Sequence, residues 1–212
     1  MTESDIQTLR DGIKALEIKA EKAAQSRLAG LAAPKSKTDP AERLADAAGD
    51  VDVLVNNAGF SWFGPTADLA PATFDQLFAA NVRSAYYLVA AIGPRMAKRG
   101  TGSIINLGSM AGQIGLAGGA AYSATKAALA SLTRSWAAEF SPQGVRVNTV
   151  APGPAYTGGA APERIEALGA ATLFARAAQP EEIADVVAFL ASPRAGYITG
   201  AVIAADGGRT AV

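Results

Sequence analysis

"VDVLVNNAG", residues 51–59, is the stretch on which the fold turns. The apolar run Val51–Val55 stops at Asn56-Asn57 and gives way to small residues. That pattern predicts a buried strand running into a turn. The same kind of segment recurs three times downstream, in "GSIINLGSM" (102–110), "GVRVNTVAPG" (144–153) and "GAVIAADGG" (200–208). Helical segments separate the strands. They are expected at 71–78, at 80–98, at 119–140 and at 180–192, with a short one at 41–49 before the first strand. Pro180 stands at a natural helix start. Strand and helix therefore alternate from residue 51 to the end. This calls for an α/β fold, a parallel sheet with helices on both faces. Ligands of such sheets bind beyond the carboxyl ends of the strands. The residues expected there are Asn57, Ala58, Gly59, Ser109, Pro152 and Gly153.

Upstream, residues 4–29 read as one amphipathic helix. Ser4 and Gln7 form a capping-box pattern. Ile6, Leu9, Ile13, Leu16, Ala20 and Ala23 recur at spacings of three and four. Gly30 is a plausible C-cap. The helix is expected to pack on its own core. A coiled-coil contact is the weaker reading, because the stripe decays to alanine after Leu16. "LAAPKSKTDP" (31–40) reads as a loop or a very short strand.

The 212 residues fit one domain with a sizeable core. Nineteen basic and nineteen acidic residues balance, which argues against a nucleic-acid binder. Cysteine and histidine are both absent. No disulfide, thiolate nucleophile or Cys-ligated zinc is available, and the commonest metal ligand and general base are missing. No metal site is expected. Acid–base chemistry near neutral pH falls to Tyr, Lys, Asp or Glu. The polar start "MTESDIQTLRDG" does not resemble a signal peptide, and no apolar run approaches a membrane span. The expectation is a soluble, cytoplasmic protein.

"GGAAYSATKAALASL" (118–132) sets Tyr122 four residues before Lys126 in a helical run. Positions i and i+4 share a helix face, so alone the pair suits a plain surface contact. Its company changes the weight. Ser109 lies thirteen residues earlier at a strand end, Asn81 begins the helix before that strand, and Pro152-Gly153 follows the next strand, with Thr157 beyond. Each has a simpler reading. Ser109 could be a turn residue, Asn81 a helix N-cap, and Pro-Gly ordinary turn chemistry.

Together, "NNAG" (56–59), "NVRS" with Asn81, Ser109, "YSATK" (122–126), "RVNTVAPG" (146–153) and "ITGAVIAADGG" (198–208) resemble the short-chain dehydrogenase/reductase superfamily, near the 3-oxoacyl carrier-protein reductases. The resemblance covers residues 41–208, about four-fifths of the chain. It implies a Rossmann-like domain and an NAD- or NADP-dependent oxidoreductase acting on a small ketone or alcohol. By that resemblance Tyr122 exchanges the proton while hydride moves to or from nicotinamide. Lys126 lowers the phenol pKa and binds the nicotinamide ribose, Ser109 polarises the substrate oxygen, and Asn81 holds a water linking Lys126 to solvent. Asn57, Ala58 and Gly59 line the adenosine side of the cofactor, while Pro152, Gly153 and Thr157 border the nicotinamide. Helices 80–98 and 122–140 match those of a homodimer or homotetramer interface, and 155–178 falls where a mobile substrate-covering loop is expected. Trp62 and Phe63, after "NNAG", could line the pocket or cap the core, and the core is the favoured expectation.

The resemblance also exposes a gap. The family opens with a strand, a T-G-x-x-x-G-x-G turn and a helix that together bind pyrophosphate, and a second strand follows. Neither is recognisable here. The first glycine is Gly12, with no apolar strand before it, and the position of the adenine-binding Asp falls at Ser36. The sheet is expected to lack its first two strands, leaving the Val51 strand at or near an edge, with helix 4–29 covering part of that surface. A cofactor-deficient pseudoenzyme or oligomeric scaffold is the alternative to an active oxidoreductase.

Overall fold

The computed structural model describes residues 40–157 and 161–212. The expectations for helix 4–29, for residues 31–39 of the segment 31–40, and for Gly12 and Ser36 lie outside the described residues. Four strands form one parallel sheet in the order β1-β2-β3-β4. They are β1 (Val53–Asn56), β2 (Gly102–Leu107), β3 (Val145–Pro152) and β4 (Val202–Ala205). Among the described residues β1 is an edge strand, as the expected loss of two strands requires. The register runs Leu54↔Ile104↔Val147 across the first three strands. Val150 pairs with Ile203 across β3 and β4.

Helices cover both faces. On one side, α1 (Pro40–Ala48), α3 (Ser84–Arg99) and α4 (Ala120–Phe140) enclose a core of Leu54, Val89, Ile92, Met96, Ile104, Trp136, Phe140, Val145 and Val147. On the other, α6 (Pro180–Ala191) packs Val187 and Leu190 on Ile105, Leu107 and Val150. The side chains of β2 and β3 are therefore buried on both faces, which is why these strands read as near-continuous apolar runs.

Polar letters interrupt those runs at one level. Asn56 and Asn106 are register partners, as are Asn106 and Thr149. The Asn56 amide donates to Asn106 Oδ1 at 2.8 Å, and Asn106 donates to Thr133 Oγ1 of α4 at 2.7 Å. Thr133 and Thr149 share a hydroxyl hydrogen bond of 2.7 Å. This buried ladder crosses three strands near their carboxyl ends and fixes α4 over them. In a low-dielectric interior such paired groups specify one register, because a slip would leave each of them unpaired.

Two expectations are corrected. The helices expected at 71–78 and 80–98 are one continuous run: α2 (Pro71–Phe78) passes through a π-helical turn, Ala79–Arg83, directly into α3. Asn81 is thus not an N-cap. It lies inside the helix, where the wider turn carries one extra residue. The segment 155–178 is not simply a loop. It contains α5 (Pro162–Gly169), begun by Pro162 and anchored by buried Ile165. Its end is fixed by close approach, because a Cβ on Gly169 would stand 2.3 Å from the Ala177 nitrogen.

Candidate active site

The site assembles at the carboxyl ends of β1 and β2 and the start of α4. After β1 the chain turns through Asn57, Ala58 and Gly59, all exposed. Gly59 is required by its neighbour: a Cβ there would lie 2.6 Å from Asn81 Oδ1. Asn81 is only 2% exposed. Its Oδ1 accepts from Phe60 N at 3.0 Å, and its amide donates to Phe60 O at 2.9 Å and to Thr125 Oγ1 at 3.0 Å. Thr125 donates onward to the Tyr122 carbonyl at 2.7 Å. The π-helical turn, the β1 loop and α4 are therefore tied through one amide. Both amide hydrogens are committed to protein oxygens, so a water linked to Asn81 would have to use its main chain or the second lone pair of Oδ1.

Lys126 is buried, 7% exposed, and its ammonium donates to Leu107 O at the end of β2 at 2.7 Å. The same nitrogen lies 5.7 Å from the Tyr122 ring centroid. Ser109 caps the turn Met110–Gly112, its hydroxyl accepting from Ala111 N at 3.1 Å. Ser109 lies close enough to Tyr122 to act on its phenol. The structure thus brings Asn81, Ser109, Tyr122 and Lys126 together. Pro152 ends β3 and Gly153 follows it at the same edge of the sheet, where Gly153 N donates to Ala205 O at 3.0 Å. A Cβ on Gly153 would meet the Asp206 backbone at 2.6 Å, so that glycine is needed to join the ends of β3 and β4. Thr157 is exposed.

The electrostatics depart from expectation in one respect. Burial raises the Tyr122 pKa above its ordinary value, opposed by the Ser109 hydrogen bond. The expected lowering by Lys126 does not prevail, because the ammonium is turned to Leu107 O and is itself penalised by burial. Burial holds Lys126 at about 8, against 10.5 for a free lysine. Between those two values the unfolded chain binds more protons than the folded one. Stability is therefore expected to rise with pH from about 8 to about 10.5, and the burial penalty acts in full below that window. Urea midpoints measured across the window should show this rise in the wild type, and Lys126→Met should remove it. A wild-type curve parallel to that of the variant would refute the buried ammonium.

The sequence reading missed one residue near the site and misplaced another. Thr125 sits between Tyr122 and Lys126 in "YSATK" and carries the Asn81 tie. Phe63 is not core. Its ring centroid lies 5.6 Å from that of Tyr122, and the Arg164 guanidinium lies 4.6 Å from its ring. The sequence signal was slight, an aromatic pair after "NNAG".

Residues 10–210 match a family described as enoyl-(acyl carrier protein) reductase. A relative from Xanthobacter autotrophicus, 2-(S)-hydroxypropyl-CoM dehydrogenase 3, is 40% identical over 173 residues, 77% of this chain and 68% of its own. The chain belongs to the short-chain dehydrogenase/reductase superfamily. A solved short chain dehydrogenase/reductase family protein superposes with a TM-score of 0.75 at 52% identity, over 81% of this chain and 72% of that one. A gluconate 5-dehydrogenase from Burkholderia cenocepacia, solved with NADP and tartrate, gives 0.76 at 28% identity, over 81% and 69%. This short-chain dehydrogenase/reductase carries no helix long and apolar enough to cross a membrane among its described residues.

Proposed function

We propose that this chain is an NAD- or NADP-dependent oxidoreductase that interconverts a small ketone and its alcohol. The observation that carries the reading is the buried Lys126 ammonium beside Tyr122, with Ser109 on the neighbouring turn, at a strand-end crevice. Such a raised phenol is protonated at neutral pH. Tyr122 can therefore donate a proton to a carbonyl oxygen, and Ser109 can hold that oxygen in place. Lys126 supplies the positive charge that stabilises the phenolate left behind. Asn81 acts as a positioning residue, through Phe60 and Thr125.

The residues fit the nicotinamide end of the cofactor. Lys126 offers a ribose partner, Pro152, Gly153 and Thr157 a border to the ring, and exposed Asn57, Ala58 and Gly59 a rim towards adenosine. When bound, the cofactor supplies or accepts the hydride. The pyrophosphate end is weaker, since no T-G-x-x-x-G-x-G turn occurs in the sequence. That same gap favours a second reading, a cofactor-deficient scaffold. Exposed Tyr86 and Tyr87 on α3 support a homodimer or homotetramer under either reading.

Titration with NADH and NADPH, followed by nicotinamide fluorescence, separates the two readings. Saturation at a Kd below about 1 mM, within reach of a partial set of polar contacts, is expected of the oxidoreductase. A signal that stays linear to millimolar cofactor would sink the oxidoreductase and leave the scaffold.

A further inference from the structure

One cation stands by the candidate site with no role in the chemistry above. Arg164 lies in the first turn of α5. A positive charge there opposes the helix dipole, so helix stability does not explain it. Among the described residues no carboxylate pairs with it. Glu163 and Glu166, its nearest acidic neighbours in sequence, are at i−1 and i+2, positions that do not face it on a helix.

The Arg164 guanidinium instead sits over the Phe63 ring, with its centre 4.6 Å from the ring centroid. Phe63 in turn meets Tyr122 at 5.6 Å and an interplanar angle of 54°. The three side chains touch in sequence, with the cation one aromatic ring away from the candidate proton donor. A cation–π contact draws on the charge of the guanidinium and does not consume its N–H donors. Those donors match the two oxygens of a carboxylate or a similar oxyanion. Arg164 is exposed, so a ligand can reach it, while buried Ile165 anchors the helix that carries it.

We propose that Arg164 is a specificity-determining residue, selecting ketones and alcohols whose far end carries an anionic oxygen group. This rests on the reading that Tyr122 marks the substrate carbonyl. The Phe63 ring would lie along the short apolar stem between the two polar ends of the substrate.

The test compares levulinate with its neutral amide, by ligand-observed NMR binding to the full chain and by turnover with whichever nicotinamide cofactor binds. Wild type is expected to prefer the acid by about tenfold or more, the worth of one charge-assisted pair. In Arg164→Gln the acid-to-amide ratio should fall to about one, and in Arg164→Lys it should be intermediate, because a lysine keeps the charge and loses the fork. Thermal melts check that the variants fold. Equal binding of acid and amide by wild type, or a preference that survives in Arg164→Gln, would overturn the assignment. The binding preference should persist in Tyr122→Phe. A preference without turnover therefore counts against the proposed chemistry alone, and turnover without a preference counts against Arg164 alone.

Discussion

Replacing Tyr122 by phenylalanine is expected to lower turnover about a thousandfold, within the range set by loss of a positioned acid–base group. The fold should survive. The phenylalanine ring keeps the contact with Phe63, and the Thr125 bond reaches the main-chain carbonyl rather than the phenol. What disappears is the hydroxyl on which Ser109 acts. Without it a carbonyl oxygen must take its proton from water. Steady-state kinetics in the reductive direction, with a thermal melt on the same sample, measures both parts. A variant that retains more than about a tenth of wild-type turnover would place the proton donor elsewhere. Lys126 is not an equivalent donor, since its ammonium is directed to Leu107 O.

The fold was legible where burial is written as hydrophobicity. The four strands lie within the expected segments, and the longest apolar runs, those of β2 and β3, are covered on both faces. The site was legible in part. Tyr122, Lys126, Ser109 and Asn81 stood out as a set through the family resemblance, and the fold brings them together. The ties between them were hidden. Thr125 and the Phe60 backbone are joined to Asn81 by contacts between residues 21 and 44 positions apart. No local pattern predicts such contacts. The π-helical turn that carries Asn81 was hidden for a related reason. A single extra residue in a helix leaves the surrounding periodicity nearly unchanged. The direction of the Tyr122 pKa depends on how much protein surrounds the phenol, and helical spacing to a lysine does not report that.

The Asn81 tie makes the largest stability prediction. Asn81→Ala removes three hydrogen bonds within the same small region. Thr125 is fully buried and keeps only its bond to the Tyr122 carbonyl, whereas the Phe60 backbone lies nearer to solvent. A loss of about 3 kcal/mol is expected, several degrees in melting temperature. Gly59→Ala acts on the same tie from the other side. Its new Cβ would stand 2.6 Å from Asn81 Oδ1 and 3.3 Å from Cγ, so the amide or the loop must shift, at a penalty of roughly 1–3 kcal/mol. In the double variant the amide is gone and the added methyl has nothing to strike. The two effects should therefore combine to at least about 1 kcal/mol less than their sum, as expected for neighbours that share one contact. Urea unfolding of the four proteins closes the cycle. Additivity within about 0.5 kcal/mol would mean that Gly59 is not kept small by Asn81. Coupling of the expected sign would make the last glycine of "NNAG" a packing requirement of the helix tie, independent of any bound cofactor.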